Sequence, residues 1–258
     1  MLIAVGSFKG SPGVTSFALA LAVRWPAVGP APVMVEVDPS GGDISTRRQT
    51  HDEPGLAAMA MAAQAGPLSD VSAWAHRLGI AADVVVAPPG AAAAVTVNEL
   101  CARAPHALAQ LAQRRPVLAD LGRLDATHPG LSLLDNAYEL LVMAHLTAEG
   151  VRHVRTRIAQ VAARCRVRLV LTGRAGLPPE EVAGYLGVPV AATVEADQAS
   201  LDLLAGRAKR SMGWTKRPLL TAARTVALGY PLATARPDLR QPIGLPGIVE
   251  VIPNGFVK

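Results

Sequence analysis

The chain has 258 residues, 50% of them apolar, and a net charge of +5 at pH 7; that is enough to bury one large α/β core, and the charge is too small to mark a nucleic-acid binder by itself. No apolar run reaches the roughly 18 residues of a membrane-spanning helix, and the first residues carry neither the basic flank nor the cleavage site of a secretory signal, so a cytoplasmic protein is expected. Cys101 and Cys165 stand far apart in no metal or redox spacing, which argues for free thiols in a reducing compartment.

In chain order, short β-branched runs alternate with alanine-rich stretches, the pattern of βαβ units in a doubly wound, mainly parallel sheet flanked by helices. Strands are expected at 2–7, 33–38, 84–87, 117–121, 139–144, 167–171 and 188–194. Helices are expected between them at 14–24, 55–65, 71–78, 92–114, 148–164, 179–186, 199–208 and 218–228. One domain over 1–235 is followed by a proline- and glycine-rich segment, 236–258, that is expected to pack irregularly or fray.

The turn after the first strand carries the strongest chemical signal. Lys9-Gly10-Ser11-Pro12-Gly13-Val14-Thr15-Ser16 lies between an apolar strand and a helical run, the context of a phosphate-cradling loop. Two residues depart from G-x-x-x-x-G-K-[ST]: Phe8 replaces the first glycine and Val14 replaces the lysine. Lys9 is one of only four lysines in the chain, at the start of the loop. Parallel sheets place ligands at the carboxyl ends of their strands, and two further strand ends are acidic there: Glu36 to Asp43, and Val117 to Gly122 with Asp120. Thr15 falls where a phosphate loop keeps the hydroxyl that binds Mg2+, and Asp120 ends an apolar run as a Walker B carboxylate does. His51-Asp52-Glu53 is a sequential polar loop that cannot easily converge on a metal.

The order of these motifs resembles the ParA/MinD family of deviant Walker A ATPases. Lys9 to Thr15 stand in register with the family loop K-G-G-x-G-K-[ST], Glu36-Val37-Asp38-Pro39-Ser40-Gly41 with D-x-D-P-x-G, and Val117 to Asp120 with its Walker B strand. Thr172-Gly173 and Glu195-Ala196-Asp197 look like its late strand ends and the loop that cups the base. The resemblance spans roughly residues 1–230 and rests on motif order and spacing. It implies binding of ATP or ADP with Mg2+, and a homodimer formed around nucleotide that holds DNA, a membrane or a protein partner. By position it implies that Lys9 reaches a partner subunit's phosphates and that Asp38 positions the attacking water. It further implies that Gly10, Ser11, Gly13, Thr15 and Ser16 contact phosphate, that Thr15 and Asp120 hold Mg2+, and that Thr172 lies near the adenine.

Four departures qualify that reading: Val14 for the second lysine, Ser11 for a glycine, Glu36 for the first aspartate, and Thr172 where relatives keep an asparagine. Deleting one charge-stabilising donor costs about 3 kcal/mol of transition-state binding, so hydrolysis is expected to be slow or absent. The expected function is a nucleotide-sensitive positioning or assembly factor. The alternatives are a pseudo-ATPase scaffold in a division, secretion, pilus or conjugation assembly, and an active DNA-partitioning ATPase. Two basic segments bear on the last: Arg152, Arg155, Arg157 and Arg164 with Arg166 and Arg168, and Arg207, Lys209, Arg210, Lys216 and Arg217. They read equally as a non-specific DNA patch or as a solvated helix face and linker. Trp214 reads as a packed loop residue or a partner anchor.

Overall fold

A computed structural model describes residues 1–9, 12–174 and 177–231, so the predicted tail at 236–258 and the loop residues Gly10 and Ser11 lie outside the described residues. Among the described residues the strands are β1 (Leu2–Ser7), β2 (Val33–Glu36), β3 (His76–Leu78), β4 (Ala82–Val85), β5 (Val117–Arg123), β6 (Glu139–His145), β7 (Val167–Thr172) and β8 (Val190–Val194). They form one sheet in the order β3-β4-β2-β5-β1-β6-β7-β8, parallel except at β3.

Among the described residues the helices are α1 (Val14–Arg24), α2 (Ile44–Arg48), α3 (Leu56–Ala65), α4 (Ala91–Arg103), α5 (Ala107–Leu111), α6 (Ala148–Arg155), α7 (Ile158–Ala162), α8 (Pro179–Leu186), α9 (Gln198–Leu204) and α10 (Pro218–Leu228). They divide between the two faces of the sheet. Along β1 the period of two is clear, because Leu2 and Ala4 pack into the layer containing α3 to α8, while Ile3 and Val5 pack with α1, α9 and α10. Covering both faces is what permits a parallel sheet, and it explains why the central strands read as unbroken apolar runs. Those strands all aim their carboxyl ends at the same edge, where the phosphate-loop candidate, Glu36 and Asp120 lie.

The doubly wound, mainly parallel architecture is as expected, with local corrections. The expected helix at 71–78 is instead a turn followed by β3, which pairs antiparallel with β4. Asp70 accepts the Val71 and Ser72 N–H groups, making a local turn that competes with helix, and Arg77 pairs with Asp83 directly across the strands at 2.7 Å. The expected helix at 92–114 breaks into α4 and α5 around Pro105, whose ring disfavours helix in the residue before it. The expected helix at 148–164 breaks into α6 and α7, with the Thr156 hydroxyl donating back to the His153 carbonyl. Helix α2 and a 310 run over Pro129–Asn136 have no counterpart in the sequence expectations.

Candidate functional site

The turn between β1 and α1 delivers backbone donors to the carboxyl edge of the sheet. Gly13 stands at φ 91°, a left-handed conformation that glycine adopts without a Cβ penalty. The first turn of α1 has no side-chain cap and no acidic residue. The N–H groups of that first turn and the positive end of the helix dipole lie together, a setting that favours an anion. Lys9 is exposed at the start of this turn, and Gly10 and Ser11 lie outside the described residues.

Val14, the first residue of α1, turns away from that anion position. It is 7% exposed and packs with Ile3, Val5 and Phe17. The residue that replaces lysine is thus a core residue, and no cationic side chain leaves α1 at that point.

Opposite the loop lies a buried acidic pair. Glu36 ends β2 and is in direct register with Asp120 in β5; they are 2% and 1% exposed. Glu36 accepts three backbone N–H groups, from Asp43 and Ile44 on Oε1 at 3.0 and 3.1 Å and from Ala87 on Oε2 at 3.1 Å. It thereby ties the start of α2 and the end of the β4 segment to one carboxylate. Asp120 accepts the Gly122 N–H at 3.0 Å, and the Thr15 hydroxyl lies close enough to favour its charged form. Burial, reinforced by the neighbouring Asp120, pushes the Glu36 carboxyl up to about 7, and burial pushes Asp120 up to about 6 despite its hydrogen bonds. Two desolvated carboxyls side by side make a place where a cation is favourable, and a Thr hydroxyl beside Asp120 supplies the oxygen donors that Mg2+ prefers.

Asp38 stands above this pair, half-buried, with Oδ1 accepting the Ser40 N–H at 2.8 Å. Its other oxygen lies against Gly122, where a Cβ would come within 1.8 Å of Oδ2; Gly122 also has φ +55°. Glycine at 122 is what allows Asp38 to lean over the end of β5. His128, which the sequence reading did not single out, is buried beside them. Its Nδ1 accepts the Gly130 N–H at 3.0 Å, which puts the ring proton on Nε2, facing the Leu121 carbonyl outside hydrogen-bond geometry. Burial lowers its pKa, so the ring is neutral near pH 7 although the field of Asp38 opposes that shift.

Cations stand on two sides of the loop. Arg157 donates from Nη1 to the Phe8 and Leu124 carbonyls at 3.3 and 3.2 Å, pinning the start of the loop to the segment after β5. Lys9, Arg157 and Arg152 all lie close enough to hold down the pKa of His153, after desolvation, so this rim is crowded with positive charge. On the other side, Arg47 of α2 pairs with Asp43 one turn earlier and lines a narrow cleft with Thr15 and Ser16.

The remaining candidates lie farther out. Thr172 ends β7, two strands from β1, where its hydroxyl meets His145 Nδ1 at 3.1 Å. Arg155 lies over the Tyr185 ring. Arg207 is paired with Asp202, and Arg210 donates to the Gly79 carbonyl at 2.8 Å and covers Trp214, so these two are partly engaged within the chain. Lys209 is exposed. Trp214 is half-buried against the α1, α9 and α10 layer, the packed reading of that residue.

No protein-family model matches the chain, and no curated protein matches it in sequence. Solved structures do match. A ParA family ATPase from Chlorobium tepidum superposes with a TM-score of 0.65 at 16% identity, over 87% of this chain and 97% of that one. The chain has the fold of the ParA/MinD ATPases. The septum site-determining protein MinD of Pyrococcus horikoshii, complexed with Mg-ADP, matches with a TM-score of 0.66 at 13% identity, over 88% of this chain and 93% of that one. A MinC:MinD complex of Aquifex aeolicus matches at 0.61 and 11%, over 88% and 94%. Among the described residues no helix is long and apolar enough to cross a membrane. On the ParA/MinD fold, the edge bearing Thr15, Asp38 and Asp120 is the crevice outside the carboxyl ends of the strands, where open α/β sheets hold their ligands.

Proposed function

We propose that the chain is a ParA/MinD-type nucleotide-binding protein that acts as a nucleotide-sensitive dimer to recruit a partner in a positioning or assembly system, with hydrolysis impaired. The observation that carries this reading is the convergence of an uncapped α1 N-terminus, the Thr15–Asp120 pair and Asp38 on one edge of the sheet. The amides of α1 and its loop would hold the phosphates, and Thr15 and Asp120 would hold Mg2+. Mg2+ bound there supplies positive charge that offsets the buried carboxyls and the polyphosphate together. Asp38 leaves one carboxylate oxygen to orient a water and accept its proton.

What the site lacks is a cation from the loop helix itself. Positioning and charge stabilisation are nearly all of phosphoryl-transfer catalysis, so a buried Val14 removes transition-state stabilisation while leaving the backbone cradle in place. Binding without efficient turnover follows. The structural neighbours that carry Mg-ADP or a MinC partner are consistent with such a role and lend it support by likeness of fold.

A second reading, a scaffold that has given up nucleotide, is favoured by one observation: Glu36 and Asp120 already accept nearby backbone N–H groups without a ligand. Thermal melting decides between them. Ligand binding to the native state stabilises it by RT ln(1 + [L]/Kd), about 2.7 kcal/mol at a hundredfold excess over Kd. Millimolar Mg-ATP is expected to raise the melting temperature by several degrees, and no shift would leave the scaffold reading standing. A DNA role is tested separately by binding to non-specific duplex across a salt series.

A further inference from the structure

The buried Val14 leaves the candidate phosphate site without its usual side-chain cation, and α2 lies next to that gap. Its placement is built by the protein: Glu36 accepts the Asp43 and Ile44 N–H groups and fixes the start of the helix against the end of β2. The far end is fixed by Arg48, which donates from Nη1 to the Leu203 carbonyl at 3.2 Å and so caps the last turn of α9. Ile44 is buried in the α1 layer. A five-residue helix held at both ends presents its arginines in a defined place.

Those two arginines are used differently. Arg48 is committed to carbonyls of α9, whereas Arg47 makes an exposed i,i+4 ion pair with Asp43. Its side chain is 38% exposed. Exposed pairs of this kind contribute little and exchange partners readily. Arg47 lines the cleft that also contains Thr15 and Ser16, the first polar side chains of α1. Its charge is also felt at Asp120, where it opposes the upward push of burial. A guanidinium offers two parallel donors, geometry that matches a phosphate better than an ammonium does.

We infer that Arg47, from α2, is the phosphate-binding cation of this site, standing in for the lysine that Val14 displaces, with Asp43 holding it in readiness until a polyphosphate arrives. The inference rests on the nucleotide-binding reading above and adds a residue to it. It also accounts for an anion-friendly helix end in a chain with valine at the position of the loop lysine: the charge is supplied from a neighbouring element.

The test is a titration of Mg-ATP and of inorganic tripolyphosphate into the full chain, followed by melting temperature and by isothermal calorimetry, for the wild type, Arg47→Gln, Arg47→Ala and Arg47→Lys. Because the residue is exposed, the apo melting temperatures are expected to stay close to wild type. Arg47→Gln and Arg47→Ala are expected to weaken binding of both anions by at least about tenfold, the scale of one charge-assisted hydrogen bond, and Arg47→Lys by less. Wild-type binding that persists unchanged in both Arg47→Gln and Arg47→Ala overturns the assignment and leaves the nucleotide reading intact. A wild type that binds neither anion sinks the nucleotide reading and this one with it.

Discussion

Glu36 concentrates the physics of the site in one side chain. It holds three backbone N–H groups and is still pushed up to about 7 from its ordinary 4.5, because removal from water and the adjacent Asp120 outweigh those bonds. The folded state therefore binds the Glu36 proton more tightly than the unfolded chain does, so the stability it contributes is full below about pH 4.5 and is lost as pH rises to about 7. Asp120 adds a loss of the same sign between about pH 4 and its value of about 6. Below that window the carboxylates held low by hydrogen bonds and arginines, such as Asp83, act in the opposite direction. For metal-free protein in EDTA, the urea midpoint is expected to fall between pH 5 and pH 7.5, by a free energy of about 2 kcal/mol from Glu36 alone. Glu36→Gln is expected to flatten that slope and to lower stability at pH 5, since its amide nitrogen cannot accept the Ala87 N–H. A wild-type midpoint that is level or rising across the window contradicts this account.

At the scale of elements, the opposite edge of the sheet is held by a different buried charge. Glu139, at the start of β6, is fully buried and takes both guanidinium donors of Arg168 from β7 at 2.6 Å, Arg166 at 3.2 Å and the Tyr230 hydroxyl at 2.6 Å. Tyr230 stacks on Trp25 beyond the end of α1, so one carboxylate joins β6, β7, α1 and the end of α10. Removing one member leaves desolvated charge behind, and Glu139→Ala is expected to cost about 3–5 kcal/mol in urea unfolding, whereas Tyr230→Phe should cost nearer 1 kcal/mol. Equal losses for the two would show that packing, not charge, holds these elements. This cluster was not legible in the chain, because its members are separated by up to 91 residues and meet only through strand pairing. The elements with local signatures were legible: β1, α1, α8 and α10 start and stop where apolar period, proline at the helix start and capping place them. So was the placing of Thr15, Asp38 and Asp120 near one edge, since the loop after β1, the end of β2 and the end of β5 all stand at the carboxyl ends of parallel strands. β3, α2, His128 and Arg47 were not, because the first is too short to show a period and the others owe their positions to groups distant in sequence.

For the whole molecule, charge at the carboxyl edge bears on the proposed dimer. Lys9 is exposed at the mouth of the loop, and Arg152 and Arg157 gather beside it. Two copies approaching through this rim bring like charges together, which opposes association unless an anion of several charges lies between them. Polyphosphate would turn that repulsion into a bridge, and this is a physical reason for the dimer to depend on nucleotide. Light scattering is expected to give the 26.7 kDa mass of one chain without nucleotide and twice that with millimolar Mg-ATP. Lys9→Ala should keep a thermal shift with Mg-ATP, since the α1 amides remain, yet lose the mass change. Without nucleotide, rising salt should ease the repulsion between the two rims, whereas with nucleotide it should weaken the bridged dimer by screening its attraction. A dimer of equal strength with and without Mg-ATP, or one untouched by Lys9→Ala, would move the subunit contact away from this edge and leave the cationic rim to serve some other anionic partner.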